Sequence, residues 1–217
     1  MSAVHGEQVR VLEEHVGEVG RGLNWWGMIF FISSEALIFA NLIAAYLYLE
    51  IRSNNGVSSG AIDVTRWVLP NGSGLDWRYP LFNTIILLGS SIPVIWARAS
   101  IVRGRQRPLI IGLSLTIIMG LIFLGGQVYD YTNLIRDGFT ITYRSFGSSF
   151  FLLTGFHGLH VSIGVLFLII CLIRAIRGDF TDKKHFTIEA GEMYWHFVDL
   201  VWVVVFSTVY LLPLLLH

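Results

Sequence analysis

The chain has 217 residues, 54% of them hydrophobic and only 14% charged, and its 15 Lys+Arg balance 15 Asp+Glu. A soluble domain carries roughly 25% charged residues, so this composition excludes an ordinary water-soluble globule and points to an integral membrane protein. The zero net charge offers nothing to a nucleic acid, and no nucleic-acid partner is expected.

Residues 1–23 form an N-terminal cytoplasmic segment. Glu7, Arg10, Glu13, Glu14, Glu18 and Arg21 make it too charged for a cleavable signal peptide, and the spacing of Val9, Leu12, Val16 and Val19 predicts a short amphipathic helix. Residues 24–217 read as one all-α polytopic bundle of five transmembrane helices: Trp25–Leu49, Pro80–Ala99, Leu109–Tyr129, Phe150–Ile173 and Met193–Leu216. Each is close to the roughly 20 residues that a bilayer requires. Turn chemistry separates the early spans, with Ser53-Asn-Asn-Gly56, Asn71-Gly-Ser-Gly74 and the hairpin Arg103-Gly-Arg-Gln-Arg107 before Pro108. With the N-terminus inside, the inner loops hold Arg10, Arg21, Arg98, Arg103, Arg105, Arg107, Arg174, Arg177, Lys183 and Lys184, against Arg52, Arg66, Arg78, Arg136 and Arg144 outside. The positive-inside tendency therefore predicts N-in, C-out. The lone cysteine, Cys171, can form no internal disulfide and reads as an inert buried thiol.

Polar residues inside the spans are the candidate site. Glu35 sits near the middle of the first span, where a carboxylate is costly and faces protein or water rather than lipid. In the third span, Gln127, Asp130 and Tyr131 form a polar cap at the outer helix end. The fourth carries His157 and His160 on one face beside Gly155, Gly158 and Gly164, small residues that let membrane helices approach closely. Arg174 closes that span on the inner side, where a guanidinium suits both the helix C-terminus and a lipid phosphate. In the fifth, Glu189, Glu192, His196 and Asp199 share one face, with Leu200, Val201, Val204 and Val205 opposite and apolar.

Metal or haem ligation by His157, His160 and His196 is the sharper reading of these histidines. Depth argues against it. His160 lies near mid-membrane and His196 only a few residues in from the inner side, a difference in level of roughly 10 Å at 1.5 Å per residue. No metal is expected in this chain, and a hydrogen-bonded interhelical cluster of His157, His160, His196 and Asp199 is the preferred reading. A proton path through the chain alone is disfavoured, because the outer halves of the second and fourth spans hold no acid.

Five blocks in order resemble subunit III of the haem-copper oxidases, the cytochrome c and quinol oxidase family. They are Ser34-Glu35, Pro80-Leu-Phe-Asn83-Thr84 with Trp96-Ala97, Gln127-x-x-Asp130-Tyr131, Thr154-Gly-Phe-His-Gly-Leu-His-Val161 and Tyr194-Trp-His-Phe-Val-Asp199. The resemblance runs from about Trp25 to Leu212. It implies a non-catalytic membrane subunit of an aerobic terminal oxidase that reduces oxygen to water and pumps protons. Haem and copper would sit in partner subunits and none in this chain. Subunit I would be the direct partner, with subunit II and other respiratory-complex subunits beyond it. Bound phospholipid would occupy a cleft, with Glu35 facing it and Arg174 holding headgroups, and the subunit would support proton uptake and sustained turnover. The expected location is a bacterial plasma membrane.

There are departures. Longer members have seven helices, and this chain lacks the first two. Asp130 stands where Glu is usual. Glu192 and Met193 replace a small residue and a Trp, and Glu192 is expected at the exposed inner surface. Rival readings are a subunit of a nitric-oxide reductase relative, an independent proton channel or transporter, and a b-type membrane cytochrome.

Overall fold

In the computed structural model the described residues are 22–55, 69–70, 75–181 and 185–213, with no account of the side chains of 50–55. The amphipathic helix expected before residue 22 lies outside them. All regular structure among the described residues is helical: α1 (Leu23–Asn55), α2 (Arg78–Gly89), α3 (Ser91–Val102), α4 (Gln106–Arg136), α5 (Arg144–Ile176) and α6 (Phe186–Phe206), the last continuing into a π-helical turn, Ser207–Leu211. α2 and α3 together make one span, so five segments are long and apolar enough to cross a membrane: Leu23–Leu49, Arg78–Val102, Gln106–Arg136, Arg144–Ile176 and Phe186–Leu211.

The spans run longer than their apolar cores. α5 starts at Arg144 rather than Phe150, and α6 at Phe186 rather than Met193. Hydropathy marks only the length that must sit in hydrocarbon, whereas a helix goes on until its backbone is capped. Those caps are legible. α3, α4 and α5 each end in a glycine of positive φ: Gly104 (69°), Gly138 (83°) and Gly178 (78°). At each, the glycine N–H bonds three residues back and the next N–H five residues back, as in Gly138 N to Ile135 O at 3.1 Å and Phe139 N to Leu134 O at 2.9 Å. This is the Schellman closure, which satisfies the last carbonyls and needs a residue without Cβ at the left-handed position. The α2/α3 interruption at Ser90 has a different cause. Pro93 has no N–H to give the carbonyl of Gly89, one turn earlier, so the helical ladder breaks there.

By compactness the chain divides into Met1–Glu35 and Ala36–His217. In the first unit the described residues are the opening turns of α1, where Trp25 and Trp26 meet edge to face at 5.2 Å. In the second, α4 packs on α2, α3 and α5, and α6 packs on α2, α3 and α5. The second half of α1 is anchored by Phe39 and Tyr46, two turns apart and both almost fully buried. The Phe39 ring lies 4.9 Å from His160 and 5.7 Å from Phe156.

Trp195 of α6 is the centre of the second unit. It is fully buried, and its Nε1 donates to Ser90 Oγ at 2.8 Å. Its ring fills space left by glycines on two neighbours. A Cβ on Gly120 of α4 would come within 2.8 Å of Trp195, and one on Gly164 of α5 within 3.1 Å. Lipid supplies no hydrophobic drive for helix association, so such close packing and interhelical hydrogen bonds must supply it.

Candidate functional site

The polar stripe on α6 meets a matching stripe on α2 and α3. Thr84, Ser91 and Arg98 stand seven residues apart, two turns each, and so share a face. Running antiparallel, α6 presents Trp202, then Asp199 and His196, then Glu192 and Glu189. Trp202 Nε1 donates to Thr84 Oγ1 at 2.8 Å. Ser91 Oγ hydrogen-bonds Asp199 Oδ2 and lies 3.1 Å from His196 Nδ1. Arg98 Nε is 3.1 Å from Glu192 Oε2, and Arg98 donates through its Nη2 to Glu189 Oε1 at 3.2 Å. Glu192 closes the row, its Oε1 lying 3.8 Å from His196 Nε2.

Glu192 is therefore not at an exposed surface, as the sequence led us to expect. It is 7% exposed and held between Arg98 and His196. Exposure is the expectation if the last span begins at Met193, which leaves Glu192 just outside it; the helix starts at Phe186, seven residues earlier, and Glu192 sits within the packed part. The opposite face also shifts. Leu200, Val203 and Val204 are the outward residues, while Val201 and Val205 are buried.

The other sequence candidates fall in separate places. His157 is fully buried against aromatic rings, 4.6 Å from the Trp202 ring and 5.9 Å from Phe123, and neither ring nitrogen has a hydrogen-bond partner among the described residues. His160 Nδ1 pairs with the carbonyl of Phe156, one turn back on its own helix, at 2.8 Å. His157 and His160 lie among aromatic rings, while His196 and Asp199 meet at Ser91, so the four residues grouped from sequence occupy two settings, one aromatic and one polar.

Gln127, Asp130 and Tyr131 lie near the far end of α4, but their bonds run sideways. Gln127 Nε2 donates to Thr154 O at 2.8 Å, and Tyr131 Oη is 2.6 Å from Thr154 Oγ1. Since Thr154 gives its own hydrogen to Phe150 O, Tyr131 is the donor to Thr154. Asp130 lines a small cavity of about 20 Å³ with Tyr79, Asn83, Gln127, Tyr131 and Tyr210. Arg174, in the last turn of α5, lies 3.5 Å from Asp179 Oδ2 and its guanidinium stands 4.9 Å over the Phe180 ring, with its side chain 43% exposed. Glu35 is half-buried in the first half of α1. Cys171 is a buried free thiol.

Sequence reading missed Ser91 and Arg98. Their spacing from each other and from Thr84 was the available signal, but nothing in α2–α3 alone says which partner that face meets. Among the described residues no group of three or more His, Cys, Asp or Glu is arranged to hold a metal ion.

Comparison with known proteins covers nearly the whole chain. Residues 6–213 match the family described as Cytochrome c oxidase subunit III. Among curated proteins, the chain is similar to "Cytochrome c oxidase subunit 3" of Marchantia polymorpha, with 42% identity over 197 residues, 90% of this chain and 71% of that one. The proteins of the same name from Drosophila melanogaster (39%) and Triticum aestivum (40%) align over 198 residues, again 90% of this chain and 71% of theirs.

Proposed function

Because this chain belongs to the cytochrome c oxidase subunit III family, we propose that it is a non-catalytic membrane subunit of an aerobic haem-copper oxidase, packing on subunit I and, through the complex, associated with subunit II. Redox chemistry then belongs to partner chains that carry haem and copper, and this chain contributes packing, phospholipid and support for proton uptake and turnover. The observation that carries the reading is where its polar groups go. The polar stripe of α6 is spent on helix-to-helix bonds, as with Trp202–Thr84, Trp195–Ser90 and Asp199–Ser91, while the large apolar residues Phe82, Ile92, Leu166 and Leu200 point outward. Such outward faces suit lipid or a partner's helices.

Sidedness follows from the bundle's charge. Gln106 at the start of α4 bonds the carbonyl of Ala175 near the end of α5, so Arg98, Arg103, Arg105, Arg107, Arg174 and Arg177 gather at one end. Arg78, Arg136 and Arg144 take the other. The positive-inside tendency favours the arginine-rich end as the cytoplasmic one, which supports a C-terminus outside and, with five crossings, an N-terminus inside. The exposure of Arg174 at that end, beside Phe180, supports its reading as a residue that holds a phospholipid headgroup, and Glu35 is read as facing bound lipid.

Affinity isolation of the chain from its native membrane in mild detergent tests the reading. A haem absorption spectrum and the oxidase subunits I and II should travel with it; recovery of the chain alone, free of haem proteins, would refute it. In the recovered complex, Glu35→Ala and Arg174→Ala should leave assembly intact, lower the tightly bound phospholipid and shorten the turnover lifetime. Unchanged lipid content and lifetime in both variants would remove the cleft role.

A further inference from the structure

Ser91 faces two groups that would each ordinarily accept its one hydrogen. Its Oγ is hydrogen-bonded to Asp199 Oδ2 and lies 3.1 Å from His196 Nδ1. A hydroxyl has one donor hydrogen, so if both neighbours only accepted, one contact would set lone pair against lone pair. One neighbour must bring a hydrogen of its own. Glu192 limits how. Its Oε1 lies 3.8 Å from the other ring nitrogen, Nε2, and Glu192 is itself paired with Arg98. At 3.8 Å the two do not hydrogen-bond, but the carboxylate's negative charge facing the ring favours an N–H over a bare lone pair at Nε2. A second hydrogen must then lie either on Asp199 Oδ2 or on His196 Nδ1. Asp199 is only 5% exposed, and its Oδ1 has no hydrogen-bond partner among the described residues; a bare carbonyl oxygen is cheaper to bury there than half of an ionised carboxylate.

We infer that Ser91, His196 and Asp199 form a proton-holding relay, in which the Ser91 hydroxyl passes one proton between the Asp199 carboxyl and His196 Nδ1. In one state, Asp199 O–H donates to Ser91 Oγ and Ser91 O–H donates to His196 Nδ1. In the other, His196 Nδ1–H donates to Ser91 Oγ and Ser91 O–H donates to the Asp199 carboxylate. Passage between them breaks the Asp199 O–H and the original Ser91 O–H bonds and forms a new Ser91 O–H and the Nδ1–H bond. One proton moves, no electrons are transferred and the total charge is unchanged. The charged groups that face the relay are Glu192 from α6 itself and Arg98 from α3, with Glu189 beyond Arg98. Among the described residues, the neighbouring contacts are Trp195 with Ser90 and Trp202 with Thr84, and on α5 the titratable His157 and His160 lie against Trp202 and Phe39. Glu192 lies on the side where the positive imidazolium of the second state forms, and Arg98 pairs with Glu192 at the bundle's arginine-rich end. The relay opens toward that end through the half-exposed His196 and stops at the buried Asp199, so it stores and exchanges a proton and does not conduct one across the membrane.

The test uses the detergent-solubilised complex that copurifies with the chain. ¹⁵N-histidine resonances, with His196 assigned by its loss in His196→Gln, report both ring nitrogens; infrared spectra in H₂O and D₂O report a protonated carboxyl. The expected wild-type result is a protonated Nε2 together with a deuterium-sensitive carboxyl stretch that Asp199→Asn removes. Absence of that stretch with both ring nitrogens protonated supports the same relay with its proton at the other end. Ser91→Ala should displace the Nδ1 resonance, and Ser91→Thr, which keeps the hydroxyl, should restore it. A bare Nε2 in the wild type, a measurement that needs no variant, overturns the proposal. So does an Nδ1 resonance unmoved in both Asp199→Asn and Ser91→Ala.

Discussion

At the scale of single residues, the informative fact is that a glutamate expected at the surface is instead clasped. Glu192 and Arg98 approach to 3.1 Å with the glutamate side chain 9% exposed and the arginine 41%. A half-exposed arginine is well solvated, so the pair is not a deeply buried ion pair, but removing the guanidinium leaves a nearly buried carboxylate uncompensated. Arg98→Gln should therefore destabilise the bundle by about 1–3 kcal/mol. The double variant Arg98→Gln/Glu192→Gln should recover part of that loss, with a coupling of at least about 0.5 kcal/mol in a thermal-unfolding cycle. Strict additivity would mean the two side chains are neighbours without being partners. His157 makes the opposite point. Its type and position suggested a hydrogen-bonding member of a cluster, yet its ring serves as an aromatic among Phe123 and Trp202.

At the scale of elements, helix ends and helix contacts obey different controls. The ends of α3, α4 and α5 are set locally, by a glycine in the left-handed region. Gly138→Val puts a β-branched side chain at a φ of 83° and should cost about 1–2 kcal/mol. It should also fray the last turn of α4, read as faster amide exchange at Leu134–Arg136; exchange unchanged from wild type would show that packing rather than the cap holds that end. The α6 contact is set by periodicity on two elements at once. Thr84, Ser91 and Arg98 recur every two turns, and so does the run of polar groups on α6, so antiparallel pairing brings each into register. The stripe on α6 was evident from its own spacing. Its counterpart was hidden because one serine, one threonine and one arginine in an apolar run look like ordinary small residues and a topogenic charge.

At the scale of the whole molecule, α2 to α6 bury their polar stripes against one another, whereas most residues of α1 within the second unit, 36–49, are not buried. Phe39 and Tyr46 are its buried contacts in the second unit. Phe39→Ala should raise amide exchange across residues 36–49 by about tenfold, equivalent to about 1.4 kcal/mol of lost local stability, while the unfolding temperature of the remainder stays within a degree or so of wild type. A matching drop in the unfolding temperature would mean that α1 is an integral part of the core.

Composition and hydropathy by themselves determined an all-helical chain with five membrane crossings, and motif spacing determined its family, because bilayer thickness and the cost of bare backbone in hydrocarbon leave a sequence few alternatives. The glycine-capped turns were equally local. Only the tertiary structure decided which polar residues meet: that Glu192 is enclosed, that His157 lies among aromatic rings while His196 pairs, and that Ser91 stands between an imidazole and a carboxyl. A helix's spacing fixes which side chains share a face, but the partner that face finds depends on the rotation and depth of a helix about a hundred residues away in the chain, and no local property of either segment encodes that.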